Sequence, residues 1–207
     1  MWDSLLDLCL VNMCVVEKIN CKKQEEYYME LNECMAGRRS IRNFKPVNVS
    51  RENIEKMIEA AILAPSWKNS QVSRYYICDE PDKTKEFLKC MPEFNQKSMQ
   101  NAPAVIVSTV VKNRSGFERD GSYTTHLKDG WQYFDNGLQI QNLCLKAYES
   151  GIGTLIMGIY DVDKIREFFD IPQEQEIVAV IAVGYAQEEP AMPKRKNVSD
   201  IANFYQG

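Results

Sequence analysis

The eight residues Ala104–Val111 restrict the folds open to this chain more than any other stretch. They read A-V-I-V-S-T-V-V, rich in β-branched side chains and apolar on both faces for most of their length. That is the pattern of a central strand, covered on both sides. A second run, Glu176–Tyr185 (E-I-V-A-V-I-A-V-G-Y), has the same character. Neither approaches the roughly 20 residues that span a bilayer, so no membrane partner is expected.

Around these strands the spacing predicts helices. Met29–Gly37 reads as a short one. Ser50 stands as an N-cap ahead of Ile54, Met57, Ile58, Ala61 and Ile62, and Pro65 stops that helix. Val72–Cys78 reads as a strand, Asp82–Cys90 and Asn95–Asn101 as short helices. Residues 113–128 are polar, hold Gly116 and Gly121, and read as a surface loop or lid. The longest helix runs from about Asp129 to Ser150 and ends at Gly151 in the C-cap slot. Its apolar residues, among them Trp131, Phe134, Leu138, Ile140 and Leu143, cover more than one stripe. Such a helix is expected inside the protein or in a subunit interface. Gly151–Gly158 reads as a glycine-punctuated segment with a short apolar centre, and Asp161–Phe169 as a helix. This helix-rich pattern without regular βαβ alternation predicts an α+β fold, a sheet covered by helices.

A length of 207 residues suits one domain, or a core domain with an appendage. Residues 1–28 read as a peripheral or poorly ordered appendage, and residues 29–207 as the domain. With 25 Lys+Arg against 29 Asp+Glu the formal charge is −4. An acidic chain is not a dedicated nucleic-acid binder, because phosphate-backbone affinity needs a cationic surface. The seven cysteines (Cys9, Cys14, Cys21, Cys34, Cys78, Cys90 and Cys144) form no C-x-x-C pair. Their spacing fits neither a zinc site nor a secreted disulfide framework, so a reducing, cytoplasmic setting is expected. One histidine, His126, leaves little room for a His-based triad or a His-rich metal site. The chemistry is therefore expected from a borrowed cofactor, with no catalytic side chain and no metal ligand nominated.

Arg38, Arg39, Ser40 and Arg42 place three guanidiniums and a hydroxyl within five residues. Arg forks match phosphate oxygens in bidentate geometry, and a serine hydroxyl adds a donor. Standing alone, such a cluster is also what a solvated basic face looks like. Far along the chain, Lys194, Arg195 and Lys196 form the only other dense basic knot. Two remote cationic clusters in an acidic protein are candidates to close on one phosphate. Ala64–Gln71 (A-P-S-W-K-N-S-Q) is a proline-stopped loop rich in amide and hydroxyl groups, able to face a planar heterocycle or to be a plain turn. Gly151–Gly158 (G-I-G-T-L-I-M-G) lets backbone pass close to another surface. It is not a dinucleotide fingerprint: the glycine spacing is wrong and no strand-then-helix context is visible around it.

In their order and spacing these elements resemble the nitroreductase family of FMN-dependent oxidoreductases, over roughly Met29 to Ile201. The family's Arg-x-Ser-x-Arg/Lys segment followed by Phe is matched by Arg38–Arg42 and Phe44. Its A-P-S-x-x-N-x-Q helix end is matched by Ala64 through Gln71. Asn95 precedes the A-P-x-V-I-V strand, Asp135 and Gly137 stand in the long helix, and Val183–Tyr185 leads to the basic tail knot. There are departures. Gln71-Val72-Ser73 replaces the frequent Q-P-W wall, Trp67 occupies a slot usually small, and Ser98 stands where a cation often does.

That resemblance implies an α+β sandwich on a central, mainly antiparallel sheet, forming an intertwined homodimer with FMN in two clefts between subunits. Arg38, Arg39, Ser40 and Arg195 would be phosphate and ribityl ligands, with Lys194 near them. Pro65, Ser66, Trp67 and Asn69 would reach the flavin from the partner subunit, and Asn95 would contact the ring edge. Leu155, Ile156, Met157 and Gly158 would run along the ring, with Arg42 and Lys97 the candidate cations near its pyrimidine side. The implied activity is hydride transfer from NADH or NADPH through FMN to nitroaromatic, quinone-like or related small acceptors. Flavin reduction, dehalogenation and a non-catalytic flavin-sensing module are the other readings on this fold.

Overall fold

The structure, a computed structural model, describes residues 29–205; the reading of residues 1–28 lies outside the described residues. Four strands form one sheet: β1 (Ser73–Cys78), β2 (Ala104–Val111), β3 (Gly153–Met157) and β4 (Gln175–Gly184). Their order is β1-β2-β4-β3, and every pairing is antiparallel. The two apolar runs are thus the two inner strands, as their double-sided patterning predicts. The helices are α1 (Leu31–Gly37), α2 (Arg51–Ile62), α3 (Pro81–Phe87), α4 (Glu93–Met99), α5 (Gly130–Glu149) and α6 (Val162–Phe169).

Each sheet face has its own core. On one, Ile54, Met57 and Ala61 of α2 and Ile140, Leu143, Cys144 and Ala147 of α5 pack on Ala104, Ile106, Ala179, Ile181 and Val183. On the other, Phe87, Met99 and Ile165 pack on Val105, Val107, Leu155, Met157, Val180 and Ala182. Strand alternation in β4 breaks where Ser108 faces Ala179 but Thr109 faces Ile177. That bulge leaves Val178 without an opposite residue, so Ile177 shares a face with Val180 rather than with Ala179.

Helix ends follow local chemistry. Ser50 Oγ accepts from the Asn53 N–H at 3.2 Å and caps α2, as its position predicts. Gly151, at φ +71°, closes α5: its N–H donates to the Tyr148 carbonyl, and the Ile152 N–H to that of Ala147. This is the Schellman arrangement, and it turns the chain directly into β3. Gly151–Gly158 is therefore more than a glycine-punctuated segment with an apolar centre. Its centre is edge strand β3, followed by helix α6, and its brevity and glycines concealed it. Among the described residues no helix is long and apolar enough to cross a membrane.

Candidate functional site

Backbone pairing brings the first cationic cluster to the free edge of β3. Ser40 bridges Thr154 in parallel, and the Ile41 N–H donates to the Thr154 carbonyl at 3.0 Å. Farther on, the Lys45 N–H donates to the Tyr185 carbonyl at 2.8 Å and the Gln187 N–H to that of Asn43 at 2.9 Å. Residues 40–45 are thus stitched first to β3, then to the chain that continues β4. The same continuation returns Arg195 to the cluster. Arg38, Arg39, Ser40, Arg42 and Arg195 line one pocket of about 120 Å³, walled by Pro190, Ala191 and Pro193.

Among the described residues, no carboxylate pairs with any of these four guanidiniums. Three of them donate instead to carbonyls: Arg39 to Ala36 and Arg38, Arg42 to Ser40, Arg195 to Pro193. Arg39 Nε is buried with no partner, a donor that is costly to leave without an acceptor. Four cationic forks and one hydroxyl around a small cavity, with no counter-charge, are a donor set for a multiply charged anion.

A second surface is built where α2 ends. Trp67–Asn69 form a single 3-10 turn, and Lys68, Asn69 and Gln71 stand at φ 46°, 54° and 47°. Left-handed backbone costs an L-residue roughly 1–2 kcal/mol, so this loop is strained unless something fixes it. Asp135 of α5 does so. The Trp67 N–H donates to both of its oxygens at 3.1 and 3.0 Å, and Ser70 Oγ donates at 3.3 Å. Asp135 is only 1% exposed and also accepts from Ser115 Oγ at 2.6 Å, which ties in the loop 113–128. Lys68 and Glu118 add an ion pair at 2.9 Å between the same two loops. The Lys68 hydrogen bond holds the Glu118 carboxyl below the usual carboxylate range. The Trp67 ring lies 4.6 Å from Trp131, which meets the exposed Phe134 edge-on at 5.4 Å.

The remaining candidates are dispersed. Asn95 is buried, and its Nδ2 donates to the Ile159 carbonyl at 2.8 Å, tying α4 to the turn after β3. Lys97 pairs with Glu93 on the open face of α4, its side chain 73% exposed. Leu155 and Met157 face the core, while Ile156 and Gly158 are exposed. Lys194 is exposed and does not line the cationic pocket. Neither do Pro65, Ser66, Trp67, Asn69, Asn95 or Lys97. Within one chain, then, Arg195 of the tail knot joins the first cluster, while the 64–71 loop forms a separate surface.

Sequence reasoning passed over the proline walls of the pocket and the anchoring role of Asp135, Ser115 and Glu118. A carboxylate inside a largely apolar helix was the available signal for Asp135. Cys34, Cys78, Cys90 and Cys144 are free and buried. Burial pushes the Cys90 and Cys144 thiols up, so neither is a thiolate nucleophile at neutral pH.

Comparison with known proteins adds four relationships. The profile of the nitroreductase family matches residues 35–91 and 81–185. YdgI of Bacillus subtilis (strain 168), provisionally named an NAD(P)H nitroreductase, is 28% identical over 83% of this chain and 96% of that protein. Among solved structures, a nitroreductase family protein from Streptococcus pneumoniae TIGR4 superposes with a TM-score of 0.74 at 22% identity. It covers 85% of this chain and 100% of that one. A provisionally assigned nitroreductase from Exiguobacterium sibiricum 255-15, solved in complex with FMN, matches with a TM-score of 0.72 at 26% identity. The match covers 86% of this chain and 98% of that one.

Proposed function

The chain belongs to the nitroreductase family, and from that premise we propose that it is an FMN-dependent oxidoreductase. It takes hydride from NADH or NADPH and passes electrons to small acceptors of the nitroaromatic or quinone-like kind. The observation that carries this reading is the pocket where Arg38, Arg39, Arg42 and Arg195 meet around Ser40 without a counter-charge. Unpartnered Arg39 Nε fits there as a donor awaiting an anionic oxygen.

In this reading Arg38, Arg39 and Arg195 hold the FMN phosphate by charge-assisted forks, with Ser40 Oγ as a further donor. Arg42, on the same strip but two residues on, offers a cation toward the pyrimidine side of the ring. Pinning of the strip to Thr154 fixes these donors before any ligand arrives, which lowers the ordering cost of binding. When bound, FMN supplies the two-electron chemistry between nicotinamide and acceptor. The protein's own residues bind, orient and shield; none is assigned a proton to move.

The assembly proposed is a homodimer in which the 64–71 loop serves the partner's flavin. Two features support it. The exposed rings of Tyr133 and Phe134 leave an apolar face on α5. The tail past the basic knot exposes Val198, Ile201, Phe204 and Tyr205, the last at 96%.

The test is a spectrum and a titration. Purified protein should be yellow, release FMN rather than FAD on denaturation, and bleach when NADH or NADPH is added under anaerobic conditions. Re-oxidation by a nitroaromatic or quinone completes the cycle. A colourless protein that refuses added FMN would remove the reading, and bound flavin that neither nucleotide reduces would mark a flavin-storing module instead.

A further inference from the structure

Asp135 gathers donors from two loops, one of which carries three left-handed residues. It is buried on α5, and it faces no cation within ion-pair distance among the described residues. Its charge is met by donors alone: the Trp67 N–H, Ser70 Oγ and Ser115 Oγ. Those donors belong to two different loops. One holds Lys68, Asn69 and Gln71 in left-handed conformations and carries the Trp67 ring against Trp131. The other is the polar stretch 113–128, joined a second time through Glu118 and Lys68.

We propose that Asp135 is a positioning residue for the ligand-facing surface. Its carboxylate holds the 64–71 loop in its strained form and couples that loop to 113–128 through Ser115, so that a buried charge on α5 sets where Trp67 lies. This rests on the proposed function in one respect, that the 64–71 loop meets the flavin or its acceptor. Left-handed L-residues persist only where the surroundings over-determine them, and such strain collects at ligand-binding surfaces. An unpaired buried carboxylate likewise persists only where several donors satisfy it. Here each oddity accounts for the other.

Two quantities report on the arrangement. Indole rings with centroids 4.6 Å apart couple as excitons and give a far-ultraviolet circular dichroism couplet, which reads the Trp67 position without any ligand. The Trp67→Phe variant identifies the couplet by abolishing it. Asp135→Asn keeps the shape but loses the charge. Ser115→Ala removes one of the two ties to the second loop, leaving the Lys68–Glu118 pair and the fold's apolar cores untouched.

With the full-length protein saturated with FMN, Asp135→Asn is expected to lose at least half of the couplet. It should also raise the acceptor KM on the order of tenfold while changing kcat much less. Ser115→Ala should move both quantities in the same direction by a smaller factor. An unchanged couplet and unchanged KM in Asp135→Asn would overturn the proposal. Should that variant fail to fold, Ser115→Ala decides: a native couplet and a native KM there would overturn it equally. A weakened couplet in a protein that binds no FMN would sink the functional reading while leaving the positioning role of Asp135 standing.

Discussion

Gly153 lies directly beneath Ile41: a Cβ at position 153 would sit 2.5 Å from Ile41 Cγ1 and 3.1 Å from its Cβ. The strip that carries Arg38, Arg39 and Arg42 runs against β3 only because that position has no side chain. Fold and site are coupled at this contact. Gly153→Ala should push the strip off β3, costing about 1–3 kcal/mol of stability as overpacking does. FMN affinity should fall with it. Urea unfolding and flavin fluorescence titration measure the two, and loss of neither would show that the strip is not held there.

The phosphate assignment predicts a ligand-dependent loss. Arg38→Ala and Arg195→Ala each remove a charged donor worth about 1.5–3 kcal/mol. Each should weaken FMN binding by roughly one to two orders of magnitude. Riboflavin, which lacks the phosphate, should bind the variants and the parent alike. Equal weakening of both flavins would mean the guanidiniums act on the ring or the fold instead.

The tail should report the assembly. Val198, Ile201 and Phe204 are apolar and open in the single chain, a face that the proposed second copy would cover. Replacing Ile201 and Phe204 with Asp should shift sedimentation from dimer to monomer mass, with flavin lost in parallel. A double variant that keeps the parent's mass and colour would remove the tail from the interface.

Lys68 and Glu118 make a pH-dependent tether. The hydrogen bond to Lys68 lowers the Glu118 pKa in the folded protein, so its contribution is present above the unfolded value and is lost as pH falls through the folded one. The pair is exposed, which makes it a latch more than a source of stability. Carboxyl-detected NMR titration should place Glu118 below the ordinary carboxylate range. Lys68→Ala should return it to that range; an unmoved titration in the variant would assign the shift to another group.

Most of the fold was legible along the chain. Ala104–Val111 and Glu176–Tyr185 announce inner strands because burial on both faces leaves no alternation to confuse with a surface strand. Ser50 and Gly151 mark helix ends because capping is chemistry between residues a few positions apart. β3 was not legible: five residues, the first a glycine and the next after them another, carry too little pattern, and pairing with β4 makes them a strand. The side of α5 was also hidden. Its first turns bury Gln132, Asp135 and Asn136, where Asn136 Nδ2 meets Ser73 and Ser108 at 2.9 and 2.7 Å, and expose Tyr133 and Phe134.

For the site, the residue order supplied the donors and their chemical kind: guanidinium, hydroxyl, and a loop of amides after a proline. Whether the distant basic knots met was a question of long-range backbone pairing. The Ser40–Thr154 bridge and the return of the chain past Gln187 answered it for Arg195 and left Lys194 outside. Asp135 makes the same point. A lone carboxylate in a helix has no meaning until two loops from elsewhere in the chain bring their donors to it, because hydrogen bonds at 3 Å are set by packing and not by sequence spacing.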